Sequence, residues 1–132
     1  MSVYMVLGIG VDIIKTARFE GMTERFLARV FTSNERAYLL TKGHMSAAGL
    51  FAAKEAVAKA LGTGFRGFWP DQIEIIHDDM GRPGVILYKE AAHIADILVG
   101  GKCQKNNGYT ISISISHTDS DAIAFAVISV CR

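Results

Sequence analysis

Cysteine, net charge and long apolar runs are all scarce in this chain, and each scarcity excludes something. Its two cysteines, Cys103 and Cys131, stand far apart, with no Cys-x-x-Cys spacing and no histidine placed to complete a zinc site. They read as inert thiols in a reducing compartment. A formal net charge of +1 lacks the basic excess of a general nucleic-acid binder. Apolar runs are broken by Gly, Asp or Ser well short of the ~20 residues a membrane span needs, and no basic flank leads into a signal-like block at the N-terminus. A soluble, cytoplasmic protein without a nucleic-acid or membrane partner is expected. Walker loops, a Gly-x-Gly-x-x-Gly turn after a strand and a Gly-x-Ser-x-Gly elbow are missing too, as are internal repeats. What is present is 132 residues, half of them hydrophobic, enough for a single domain over residues 1–132 with its own core.

The most informative stretch is Phe51-Ala-Ala-Lys-Glu-Ala-Val-Ala-Lys-Ala-Leu-Gly-Thr-Gly64. It places Lys54, Glu55 and Lys59 in a helix that is otherwise apolar nearly all round, where a charge is costly without a counter-charge, metal or charged ligand. Glu55 and Lys59 lie one turn apart in the order that favours an ion pair, so they can satisfy each other. A buried setting asks instead for outside partners. The stretch alone leaves both readings open.

Earlier in the chain, Val3 to Asp12 alternates as a buried first strand. Gly8 and Gly10 strip the face that Asp12 shares, which predicts close approach by another backbone or a ligand. Arg18, Met22, Arg25 and Arg29 follow the spacing i, i+4, i+7, i+11 and predict one stripe on one helix, with Phe19, Phe26 and Val30 beside it facing the core. Gly21 weakens that helix, and Glu20 and Glu24 stand close enough to offset part of the positive charge. The stripe is either a solvated face or a docking surface for an acidic partner. Thr32 to Glu35 matches a capping box at the start of a second helix. The alanine-rich helix then begins near Ser46 and stops at Gly62.

Phe65, Phe68 and Trp69 read as packing anchors in the irregular segment that follows. Gln72 to His77 and Val85 to Tyr88 form a hairpin, with Asp78 and Asp79 as turn residues rather than metal ligands. Glu90 to Leu98 is a short helix on which His93 has no assigned role. Gly100 to Gly108 is a polar loop. Tyr109 to Ser116 is a strand with an isoleucine face and a hydroxyl face, Ala122 to Val130 reads as fully buried, and His117 sits on the turn between these two strands, both read as central. Asp12 and Glu55 both offer hard oxygen ligands. If they meet in space they suit magnesium on a substrate phosphate, with Lys59 as a point charge and His117 as a donor to phosphate oxygens.

Five blocks, Gly8-Ile-Gly-Val-Asp-Ile-Ile14, Phe51-Ala-Ala-Lys-Glu-Ala-Val-Ala-Lys59, Gly62-Thr-Gly64, Gly81-Arg-Pro83 and Ser114-Ile-Ser-His-Thr118, run in the order seen in one family. From Leu7 to Val130 the chain resembles the holo-acyl-carrier-protein synthases, the small phosphopantetheinyl transferases. The resemblance implies an α+β fold, a mostly antiparallel sheet packed against a central buried helix and shorter helices. It implies magnesium-dependent transfer of 4'-phosphopantetheine from coenzyme A to a serine of apo-acyl carrier protein, releasing adenosine 3',5'-bisphosphate, in fatty acid biosynthesis. By the matching blocks, Asp12 and Glu55 would hold magnesium, and Glu55 and Lys59 would serve catalysis. Lys59, Gly62, Gly81, Arg82, Pro83 and His117 would bind the coenzyme. Arg18, Met22, Arg25, Phe26 and Arg29 would form a basic, partly apolar surface for the acidic helix of the carrier. A homotrimer with active sites between subunits is also implied. Two departures stand out: Leu50, where many relatives carry arginine, and a long Gly100 to Gly108 loop. Lys54 belongs to a family block without a role that the sequence can assign.

Overall fold

Alternating apolar residues build the main sheet. In this computed structural model residues 3–100 and 108–131 are described, so Cys103 and most of the loop predicted from Gly100 to Gly108 lie outside the described residues. Strand β1 (Tyr4–Lys15) pairs antiparallel with β5 (Asp121–Cys131), which pairs antiparallel with β4 (Thr110–His117), giving the order β1-β5-β4. The strand β5 is therefore central and β4 an edge, whereas the sequence pattern puts His117 between two central strands. A separate hairpin joins β2 (Ile73–His77) to β3 (Pro83–Leu87), each strand within two residues of its predicted span. Helices α1 (Glu24–Val30), α2 (Ser33–Leu39), α3 (His44–Ala60) and α4 (Lys89–Val99) complete the α+β arrangement that the resemblance implies.

Helix α3 lies on the inner face of the sheet, and its alanines let it come close. Ala48, Ala52, Ala53, Ala56 and Ala58 are fully buried. A Cβ added to Gly8 would stand 1.9 Å from the carbonyl oxygen of Ala60, and one added to Gly10 would stand 2.0 Å from that of Ala56. The close approach expected at these glycines is thus made by the backbone of α3. The helix starts at His44 with Gly43 at its N-cap, two residues before the predicted Ser46, and ends before Gly62, whose φ of +91° suits glycine.

The outer face of the sheet corrects the sequence reading. There Ile9, Val11, Ile13, Ile123 and Phe125 are each 43–67 % exposed, although β1 and β5 read as buried strands. Register aligns them in rows, Val11 opposite Phe125 opposite Ser114 and Ile13 opposite Ile123 opposite Ser116, so the hydroxyl stripe of β4 borders an open apolar face.

The arginine stripe is also different from its prediction. One 3-10 turn at Thr16–Phe19 carries Arg18, Gly21 breaks the chain direction at φ +65°, and α1 begins only after Thr23, whose Oγ1 accepts from the Phe26 N–H at 3.2 Å. Phe19 and Val30 are buried as predicted, but Phe26 is exposed and meets Phe19 edge-to-face at 6.2 Å. Met22 lies in the break and packs partly against the core.

The capping box forms as its spacing predicts: Thr32 Oγ1 accepts from the Glu35 N–H, and Glu35 Oε1 accepts from the Thr32 N–H at 2.9 Å. Glu35 does more than cap. Its carboxylate and the Lys54 ammonium, both fully buried, are 2.6 Å apart, and Lys54 Nζ also donates to the carbonyls of Pro70 (3.0 Å) and Ile73. The second Glu35 oxygen accepts from the Ile75 N–H at 2.7 Å. Burial pushes the Glu35 carboxyl up and the Lys54 ammonium down, while the opposite charge beside each pulls it back. Nearby, buried Glu74 accepts from Thr32 Oγ1 and, at 2.9 Å, from the Tyr88 hydroxyl. Lys54 therefore ties α2, α3 and the start of β2 together and fixes the roll of α3.

Candidate active site

With α3 held against Gly8 and Gly10, the next outward-facing residues on the seam are Asp12 of β1 and Glu55 and Lys59 of α3. Lys59 Nζ donates to Asp12 Oδ1 at 3.2 Å and to the Val11 carbonyl at 2.9 Å, so its partner is Asp12 across the seam. Glu55 is half-buried beside them. Burial raises its proton affinity, the Asp12 carboxylate raises it further, and Lys59 and Arg18 oppose both. Two carboxylates thus stand close together on a partly open seam, Asp12 paired with Lys59 and Glu55 within reach of the charges of Lys59 and Arg18.

Two like charges held together on rigid elements gain from a hard divalent cation. Among the described residues no group of three or more His, Cys, Asp or Glu is arranged for a metal. A cation here would take two protein carboxylates, with water or substrate oxygens filling its other positions, which is the way magnesium is usually held. Gly62 follows the last turn of α3, its N–H bonded to the Lys59 carbonyl at 2.9 Å, and so lies at the same end of the helix.

A second feature lies on another side of α3. A cavity of about 190 Å³ is lined by Ser46, Gly49 and Leu50 of α3, Gly81 and Pro83 of the hairpin turn, Ile115 and His117 of β4, and Tyr38 and His77. Three of the predicted coenzyme residues, Gly81, Pro83 and His117, meet here. Arg82 is in the same turn with its side chain exposed and outside the lining. The turn is built by Asp78, whose Oδ1 accepts from the Met80 and Arg82 N–H groups at 2.9 and 2.8 Å, with Gly81 at φ +83°. Leu50 is buried in this wall, so position 50 brings no cation to it. Sequence reasoning missed Tyr38 and His77, whose rings stack at 4.2 Å with 7° between planes. Burial and the neighbouring Lys42 push the His77 imidazole down, and Asp78 opposes them. No spacing signals a stack between such distant positions.

At about 3.6 residues per turn, Leu50 and Lys59 point to opposite sides of α3. The carboxylate seam and the cavity therefore lie on different sides of α3. Arg18 borders the seam: it lies 6.0 Å over the Phe51 ring and its charge reaches Glu55. Arg25 and Arg29 continue the basic surface along α1, on a different element from Arg18.

Residues 8–114 match the model of the 4'-phosphopantetheinyl transferase superfamily. Over 129 residues the chain is 45 % identical to the holo-[acyl-carrier-protein] synthase of Clostridium perfringens, covering 94 % of each. Among solved structures, the holo-(acyl-carrier-protein) synthase of Bacillus anthracis in complex with CoA (3',5'-ADP) superposes with a TM-score of 0.75 at 35 % identity, over 96 % of this chain and 98 % of that one. The Helicobacter pylori holo-[acyl-carrier-protein] synthase in complex with coenzyme A gives 0.73 at 34 % identity, over 91 % and 98 %. Sequence and fold agree that this chain belongs to the holo-[acyl-carrier-protein] synthase family of the 4'-phosphopantetheinyl transferase superfamily.

Proposed function

We propose that this protein is a magnesium-dependent enzyme that transfers 4'-phosphopantetheine from coenzyme A to a serine of apo-acyl carrier protein, in the cytoplasm and in support of fatty acid biosynthesis. The observation that carries this reading is the seam where Asp12 and Glu55 stand together beside Lys59, in a chain whose relatives are carrier-protein synthases with coenzyme A bound in two solved structures. The serine oxygen forms a bond to the phosphorus that bears the pantetheine arm, and the pyrophosphate bond to adenosine 3',5'-bisphosphate breaks. Such a transfer is mostly positioning and charge stabilisation.

Asp12 and Glu55 would hold magnesium, which when bound supplies Lewis-acid stabilisation of the pyrophosphate charge. Lys59 leaves Asp12 for a pyrophosphate oxygen and offsets charge on the leaving group. Glu55, or a water that the metal would hold, accepts the proton that the serine releases. Gly62 leaves room beside the pyrophosphate, while Gly81, Arg82, Pro83 and His117 serve the nucleotide end. Arg18, Met22, Arg25, Phe26 and Arg29 receive the acidic carrier.

Because the seam and the cavity face opposite sides of α3, one coenzyme is best bound by the seam of one subunit and the cavity of the next. An open apolar face on β1 and β5 gives a surface on which copies can associate, in keeping with a homotrimer. The test is direct. Incubated with apo-acyl carrier protein, coenzyme A and magnesium, the protein is expected to raise the carrier's mass by one phosphopantetheine; an unchanged mass overturns the proposal.

A further inference from the structure

Arg18, Arg25 and Arg29 are exposed, and no carboxylate among the described residues lies within 4.0 Å of their guanidinium nitrogens. Glu20, expected to offset them, faces His44 at 3.3 Å instead. Two of the three are laid over aromatic rings: Arg18 Cζ is 6.0 Å from the Phe51 centroid, and Arg29 Cζ is 5.8 Å from that of Trp69. A guanidinium at that distance over a ring is attracted by the ring face while its N–H fork stays free for carboxylates.

Trp69 does not pack as the sequence suggests. It is 63 % exposed, while its neighbour Phe68 is buried and Pro70 opens a 3-10 turn closed by the Gln72 N–H on the Trp69 carbonyl at 3.0 Å. The backbone on both sides is therefore held, and the indole is presented outward beside Arg29. Tryptophan and arginine are the residues that most often dominate protein interfaces, and an indole, with only two side-chain torsions, loses little freedom on binding.

We infer that Trp69 and Arg29 extend the carrier-docking surface from α1 onto the segment before β2, where an apolar side chain of the carrier covers the indole while acidic ones take the arginine forks. This rests on the carrier-protein synthase reading and adds to it a residue outside the arginine stripe. Complementary charge names the occupant: the unpaired arginines fit an acidic partner, and the carrier implied by the family is acidic.

Trp69 is the only tryptophan in the chain, so its fluorescence reports on this surface alone. Full-length protein is titrated with apo-acyl carrier protein that lacks tryptophan, and separately with coenzyme A. The emission is expected to shift to the blue and saturate with carrier, and to stay unchanged with coenzyme A. In steady-state transfer assays Trp69→Ala is expected to raise KM for carrier about tenfold, with KM for coenzyme A unchanged. Trp69→Phe, which keeps a ring under Arg29, is expected to restore most of the loss. Transfer that proceeds without an emission change, or with KM for carrier unaltered in Trp69→Ala, overturns the inference. An emission change without any transfer supports the surface and removes the catalytic reading. Neither transfer nor emission change overturns both.

Discussion

Helix α3 carries two lysine–carboxylate pairs only a turn or so apart, and they are solved in opposite ways. Lys54 is sealed: one carboxylate, two backbone carbonyls and no exposed surface surround it, and its partner Glu35 has a donor on each oxygen. Lys59 is half-exposed and bonded to Asp12, so Glu55 has a like charge beside it and no ion pair of its own among the described residues, only the more general pull of Lys59 and Arg18. A buried charge pair whose hydrogen bonds are all made is a structural device. Like charges left unbalanced at an opening are a site waiting for a cation or an anionic ligand that brings one. The difference lies in exposure and in the carboxylates: Glu35 has a donor on each oxygen, whereas the Glu55 carboxylate has no hydrogen bond among the described residues and lies beside Asp12.

Breaking the open pair is expected to have the largest effect. Glu55→Gln removes a charge without changing shape, so transfer measured by carrier mass should fall by at least about 10³-fold. Its melting temperature should hold or rise, because the like-charge contact with Asp12 is relieved. A variant that keeps full transfer would take Glu55 out of the proposed metal site. Breaking the sealed pair should do the reverse. Lys54→Met leaves the Glu35 carboxylate buried without its counter-charge and is expected to cost about 3–5 kcal/mol in urea unfolding. Adding Glu35→Gln to it should recover part of that loss, since the stranded charge is gone. If the single and double variants unfold alike, Glu35 and Lys54 are not coupled as the geometry indicates.

Much of this contrast is legible in the sequence, but unevenly. Gly8 and Gly10 announce a close approach on the face of Asp12, and the three charges in an alanine-rich helix announce a need for partners; the seam follows from those two patterns once α3 is laid on β1. The partner of Lys54 is not legible, because Glu35 already has a sufficient local explanation as the acidic end of a capping box. The capping oxygen itself also meets Lys54 and the second takes the Ile75 N–H, long-range roles that no periodicity records. Arg18 and Arg29 look like one helical stripe because spacing is blind to the break at Gly21 and the new start at Thr23. Trp69 looks like core for the reason that any aromatic does, and only its neighbours Phe68 and Pro70 decide which way it turns. The apolar residues of β1 and β5 that read as buried lie on a face that a single chain leaves open. An apolar pattern records that a surface is to be covered and is silent on whether the same chain covers it.

Proton and metal should compete at the open pair, and this gives the smallest effect and the sharpest reading of it. Without metal, the folded state holds the Glu55 proton more tightly than its ordinary value of 4.5. The stability from that group is therefore present below this value and is lost as pH rises through the elevated one. Magnesium needs the carboxylate form, so its binding displaces the proton and its stabilisation must grow over the same pH range. At a concentration about 100-fold above its dissociation constant it is expected to add about 2.7 kcal/mol near neutral pH. The gain should shrink toward zero as the solution is made acid. Thermal melts with magnesium and with EDTA, taken from about pH 4 to pH 8, measure the shift directly. In Lys54→Met the magnesium shift should persist on a lower baseline, whereas in Glu55→Gln it should be small at every pH. A shift that is absent at neutral pH, or equal across the range, would mean that the excess charge at Asp12 and Glu55 is not what holds the metal.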